Sequence, residues 1–212
     1  MTRMTALLTA TTLLTCLAAR AQEVPIHHHN FDVGLGPGIP TGATSSYLGT
    51  APLLGVHYGF RLNRFFQADA GFQVAWGAAG NTQNSVITDL GAIQGGDREY
   101  MFPLGGRLII PQPFKRIELA AGGGGIYLHY SETAPTGGQF QVNCYSCTSR
   151  GGWGGYGLAN ASYFLDENHN FRLGTTFQYV SASTDGDAVG NVPGIHTSDH
   201  WINLMFGIGI SF

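Results

Sequence analysis

The chain has 212 residues, room for one domain or two very small ones. Charged residues make up 11% of it, with 32 glycines and Lys115 as the one lysine, where soluble domains carry roughly 25% charge. That balance excludes the basic surface of a nucleic-acid binder. No apolar run after residue 22 approaches the ~20 residues of a membrane helix, so a membrane crossing by this chain would have to use strands.

The first segment reads as a targeting sequence. Arg3 supplies a positive start, residues 6–19 are apolar or small, and Ala19-Arg20-Ala21 fits the cleavage pattern of a secretory signal peptide. Residues 1–21 are therefore expected to be removed, leaving Gln22 first and 22–212 as a single domain. Leu13-Leu14-Thr15-Cys16 loosely resembles a lipoprotein box, with Thr15 a poor residue before the cysteine. Loss of Arg3 and Arg20 leaves 8 basic and 13 acidic residues, a net charge of −5, and Cys144 and Cys147 as the cysteines.

Beyond the signal, period-two alternation replaces helical periodicity. Segments at roughly 30–38, 52–62, 65–76, 99–110, 116–130, 151–165 and 170–181 alternate, and a final strand runs to residue 212. In the third, Phe66, Ala68, Ala70, Phe72, Val74 and Trp76 oppose Gln67, Asp69, Gly71 and Gln73. In the fourth, Tyr100, Phe102, Leu104, Leu108 and Ile110 oppose Glu99, Met101 and Arg107. In the seventh, Phe171, Leu173, Phe177 and Tyr179 oppose Arg172, Thr176 and Gln178. The last is the clearest: Ile202, Leu204, Phe206, Ile208, Ile210 and Phe212 share one face, and Asn203, Met205, Gly207, Gly209 and Ser211 the other. Most segments reach the ~9–11 residues with which a tilted strand crosses a bilayer.

The connections alternate in length. Short ones fall at Asn63, at Pro111-Gln112-Pro113-Phe114 and at Asp166-Glu167-Asn168-His169, and long polar ones at about 39–51, 77–98, 131–150 and 182–198. Short periplasmic turns and long extracellular loops have this rhythm, and eight strands put both termini on the short-turn side. Trp76, Trp153 and Trp201, with Tyr100, Tyr127 and Tyr179, fall near the long loops, and Phe60, Phe66, Phe164, Phe171 and Phe212 near the short turns. Both sets are expected to form aromatic belts at the membrane interfaces. The fold expected is all-β, an eight-stranded antiparallel up-and-down transmembrane β-barrel.

The whole mature chain resembles the small outer-membrane β-barrels of the OmpA/OmpX type. The resemblance is carried by the alternating last strand ending on Phe212. It implies the bacterial outer membrane, its lipids as surroundings, and Phe212 as the assembly signal read by the barrel-insertion machinery. It does not imply an activity, because the fold hosts many.

Five inward charges, Arg61, Asp69, Arg107, Glu118 and Arg172, fall in the half nearest the short turns. Ions in a narrow lumen are expected to pair across it. They read either as a structural plug in an interior just wide enough to fill with side chains or as the charges that set selectivity in a narrow pore. Cys144-Tyr145-Ser146-Cys147 lies in the third long loop. A redox centre needs a helix N-terminus and a zinc site about two more ligands, so an oxidising compartment points to a local disulfide. His27-His28-His29 could hold a transition metal, and otherwise reads as a solvated periplasmic tail. His129 and Ser131 share a strand face, a spacing similar to the His-x-Ser of outer-membrane lipid A deacylases. That family has Asn after the Ser, where Glu132 stands here. Gly122-Gly123-Gly124-Gly125 lacks the Lys and Ser/Thr of a phosphate loop, and no cofactor is expected. The first function read from the sequence is a non-catalytic surface barrel. A small pore and a lipid A-modifying enzyme using His129 and Ser131 are the alternatives, and the ligand of the loops stays open.

Overall fold

The computed structural model describes residues 26–78, 85–88, 91–94, 96–114, 116–133, 148–187 and 196–212, with side chains described for 26–78, 96–110, 116–131, 149–187 and 196–212. Eight long strands close into an antiparallel barrel. They are β1 (His29–Thr41), β2 (Ala51–Arg61), β3 (Phe66–Trp76), β6 (Gly96–Phe114), β7 (Ile117–Thr133), β8 (Thr148–Phe164), β9 (Phe171–Gly186) and β10 (His196–Ser211). Two short strands, β4 (Ser85–Thr88) and β5 (Gly91–Gln94), pair with each other between β3 and β6. Neighbours in sequence are neighbours in the wall, and β1 pairs with β10 to close it. At this seam the His29 N–H donates to the Phe212 carbonyl and the Phe212 N–H to the His29 carbonyl, both at 2.9 Å. Closure leaves the barrel no sheet edge to protect.

The sequence's alternation becomes inside and outside. Leu104, Leu108, Leu173, Phe206, Ile208 and Ile210 are exposed on the outer face, while Met101, Arg107, Arg172, Asn203 and Ser211 are buried within. An outer surface that carries so many large apolar side chains suits lipid and not water. The expected eight strands are present, and most run further toward the long connections than the alternation alone marked.

The short connections are fixed by side chains that take up free backbone donors. Asn63 Oδ1 accepts the N–H groups of Phe65 (2.8 Å) and Phe66 (2.9 Å), the habit of Asn in tight turns. Asp166 does the same for Asn170 (3.0 Å) and Phe171 (2.8 Å). These backbone bonds, that from Phe171 foremost, hold its carboxyl below the ordinary value. His169 takes a left-handed φ of 60°, which His tolerates better than most residues.

Three expectations are corrected. Trp201 is no belt residue: it is fully buried inside the barrel (0% exposed), whereas Trp153 is 72% exposed. Its position shares parity with Asn203 and Met205, so it points inward with them. Phe164 is likewise inward, and its ring stacks on His169 at 4.1 Å. The second short connection is tighter than expected, because β6 continues to Phe114, which pairs with Ile117 after a register shift beyond Ile110.

Candidate functional site in the barrel lumen

The lumen is stacked in layers. Near the short turns, Arg61 Nη2 meets Glu118 Oε2 at 2.5 Å and Arg107 Nε donates to Asp69 Oδ2 at 2.6 Å. Gln67 Nε2 donates to the other oxygen of Asp69 (2.7 Å), and Asn30 Nδ2 donates to Gln67 Oε1 (3.1 Å). Arg172 donates from Nε and Nη2 to the two oxygens of Asp32, at 2.9 and 2.7 Å. Its Nη1 donates to Asn30 Oδ1 (2.7 Å) and Ser211 Oγ (3.0 Å). One polar network thus joins β1, β3, β6, β9 and β10.

Asp32, Asn30 and Ser211 were not singled out as partners in the sequence. Their signal lies in the register. Asp32 faces Gly209 on β10, and Gly209 faces Arg172 on β9. A Cβ on Gly209 would stand 2.1 Å from Asp32 Oδ1 and 2.7 Å from Arg172 Nε. Glycine at that position lets the ion pair close over the intervening strand.

Above the network, Asn203 Nδ2 donates to Gln73 Oε1 and Gln178 Oε1, both at 3.1 Å, and lies 3.3 Å from Met101 Sδ. This bridges opposite walls of the lumen. Against this bridge packs an apolar layer of Leu53, Met101, Ile126, Leu128, Val180 and Trp201. Among the described residues, a cavity of about 10 Å³ lies beside His57, Asp69, Arg107 and Tyr156, room for about one water.

No family model matches this chain, and no curated protein matches it. Solved structures do. Ail, the attachment invasion locus protein of Yersinia pestis, aligns at 12% identity over 88% of this chain and 100% of its own, with a TM-score of 0.51. Neisserial surface protein A aligns at 12% identity over 87% and 97%, with a TM-score of 0.56. OprG of Pseudomonas aeruginosa aligns at 13% identity over 88% and 97%, with a TM-score of 0.54. The fold is that of the small outer-membrane barrels. At such identities the likeness is one of architecture, and the chemistry of this outer-membrane-type barrel rests on its own residues.

The remaining candidates occupy other parts of the barrel. His129 and Ser131 alternate with the inward Leu128 and Tyr130 and so lie on the outer face of β7. The His129 ring stacks against Tyr100 at 6.3 Å. Its ladder neighbours are Tyr100 and Gly151, and among the described residues no carboxylate is hydrogen-bonded to it. The three histidines are not a solvated tail, which is a further correction. His27 Nε2 contacts the Asn168 carbonyl (2.7 Å), His28 Nδ1 the Arg61 carbonyl (2.8 Å) and His29 Nδ1 the Tyr58 hydroxyl (2.7 Å). Each ring is used to seat β1 on the rim, and the three diverge. Cys144 and Cys147 lie outside the described residues. Phe212 is exposed on the outer face beside the seam, stacked on His29 at 5.4 Å.

Proposed function

We propose that this chain is a non-catalytic integral protein of the bacterial outer membrane, with its lumen sealed by side chains and its activity carried by the long loops in surface contact or envelope integrity. The observation that carries this reading is the filled lumen. Paired ions, an amide bridge and an apolar layer follow one another across the same narrow bore, as an eight-stranded interior allows. Two proteins similar in fold are named for attachment and for the surface, which agrees with action outside the cell. Outer-membrane lipids are the surrounding partner, and the insertion machinery, reading Phe212, the partner during assembly. The test is conductance of the purified barrel in a planar bilayer. No steady current is expected. A steady current comparable to that of a general porin would promote the pore, and loss of acyl chains from lipid A in contact with the barrel would promote the enzyme.

The same reading includes removal of residues 1–21, both termini in the periplasm, and a disulfide between Cys144 and Cys147 in an outer loop. N-terminal sequencing of the mature protein should begin at Gln22. Maleimide added to intact cells should label the loop cysteines only after reduction. Labelling without a reductant would count against the disulfide, and labelling only after lysis would reverse the orientation.

A further inference from the structure

The long-connection end of the lumen is built differently from the rest. After β1 the chain turns at Gly42, with φ of 62°, into a short 3-10 segment, Gly42–Ser46, that folds back into the mouth. Thr44 and Leu48 are buried there. The segment is held around Asp199, itself 0% exposed. Tyr47 Oη donates to Asp199 Oδ1 at 2.9 Å. The Thr44 hydroxyl donates to the Ser198 carbonyl (3.2 Å) and accepts the His200 N–H (3.1 Å). Arg150 Nη2 reaches Asp199 Oδ1 at 3.3 Å. Its guanidinium carbon lies 4.5 Å from the Tyr130 ring centroid and 5.3 Å from that of Tyr47.

At the same level Glu99 is fully buried, and among the described residues neither of its carboxylate oxygens has a hydrogen-bond partner. Among the described residues Arg150 Nε and Trp201 Nε1 are also buried without one. Glu99 faces Tyr130 in the ladder, and Tyr130 faces Arg150. Asn203 reaches Met101 across the lumen, and Trp201 and Glu99 each stand two residues nearer the mouth than that contact. The other inward charged groups at this end are Asp97, Asp199 and Arg150. One guanidinium therefore stands among three inward carboxylates: Asp199 holds it at 3.3 Å, Asp97 accepts the Ala78 N–H at 2.9 Å, and among the described residues Glu99 accepts nothing. A sealed carboxylate that accepts nothing is costly, and the aromatic faces beside it favour a cation. Among the described residues no group of three or more His, Cys, Asp or Glu is placed to hold a metal ion, and the aromatic faces suit a cation that carries apolar surface of its own.

We propose that the loop-side mouth binds a small organic cation, a primary ammonium or a guanidinium, with Glu99 as counter-charge, Tyr130 and Trp201 as walls, and Gly42–Leu48 as a lid that opens to admit it. Arg150 displays the chemistry from within, since its guanidinium is already held between two tyrosines and a carboxylate. Trp201 is shared with the apolar layer, whose long-connection side the site occupies, so binding needs no conduction through the barrel.

Replacing Trp76 and Trp153 by Phe leaves Trp201 as the reporter. Ethylammonium chloride and methylguanidinium chloride are titrated into that variant, with sodium chloride at equal ionic strength as reference. A saturable fluorescence change with either organic cation, absent with sodium chloride, is expected. Loss of a charge-assisted contact in Glu99→Gln should weaken it about tenfold or more, while Asp185→Asn, at an exposed position, leaves it unchanged. No saturable change, or a Glu99→Gln titration matching the parent, would overturn the proposal. Where Glu99→Gln does not assemble, calorimetric titration of the unmutated barrel decides. Heat that saturates supports the site, and its absence refutes it.

Discussion

Arg107→Ala is expected to lower the unfolding free energy of the barrel by about 3–5 kcal/mol, the usual consequence of removing one partner of a buried ion pair. Arg64→Ala, at an exposed turn position, should change it by no more than about 0.5 kcal/mol. The difference lies in what each arginine leaves behind. Arg107 Nε holds Asp69 Oδ2 at 2.6 Å, and the side chains are 10% and 6% exposed. Without Arg107, Asp69 keeps, among the described residues, the amide of Gln67 on its other oxygen, in a lumen that gives water little access. Gross attraction in such a pair is about 4 kcal/mol at 4 Å and an effective dielectric near 20, and desolvation cancels much of it. Breaking the pair therefore costs more than forming it gains. Arg172→Ala should fall nearer 3 kcal/mol, because Asp32 is 29% exposed and regains water once released. Adding Asp69→Ala to Arg107→Ala should recover part of the loss, since no buried charge then stands alone. Urea titrations of the barrel folded in lipid vesicles measure all four variants. A double variant no more stable than Arg107→Ala would mean that the arginine acts through packing and not through its charge.

Much of this architecture was legible because a barrel strand has only two faces. Parity alone separated Phe171, Leu173 and Phe177 from Arg172, Thr176 and Gln178, and it set the last strand correctly throughout. Trp201 and Phe164 show what happens when residue type is allowed to outrank parity. Both are large aromatics near a strand end and suggest a belt, yet both stand at inward positions and are buried. The partners of the lumen charges were less legible. Which carboxylate meets Arg172 depends on register across β1, β10 and β9, and register comes from closure of the whole sheet rather than from any one strand. Asp32 also sits in a glycine-rich strand whose inward side shows few polar residues to count. The group around Asp199 was hidden for another reason. Tyr47 and Thr44 belong to a connection, where period-two reading stops, and only folding back into the mouth brings them to Asp199 and Arg150.

Gly124→Ala and Gly125→Ala should separate sharply although the residues are adjacent. The ladder sets Gly124 opposite Gly105 on β6 and Gly125 opposite Leu104. A Cβ on Gly124 would lie 2.2 Å from the Leu104 carbonyl oxygen and 2.5 Å from Gly105 Cα. Both are backbone atoms, so no rotamer change relieves the clash, and β6 itself must move. The nearest atom to a Cβ on Gly125 is the Gly154 carbonyl oxygen, at 3.9 Å, an ordinary contact. Gly125 also lacks the positive φ that would strain an alanine. Overpacking typically costs 1–3 kcal/mol, and Gly124→Ala belongs at the upper end, about 3 kcal/mol, because backbone and not side chain has to yield. Gly125→Ala should be neutral or stabilising by up to about 1 kcal/mol, since alanine restricts the unfolded chain more than glycine does. The run of four glycines is then a place where β6, β7 and β8 press together, with the close approach required at Gly124 and not at Gly125. The readouts are the fraction of each variant migrating as the folded, heat-modifiable form and its urea midpoint. Equal losses in the two variants would mean that the run serves general flexibility, and equal tolerance would mean that β6 and β7 lie further apart than the Gly105–Gly124 pair places them.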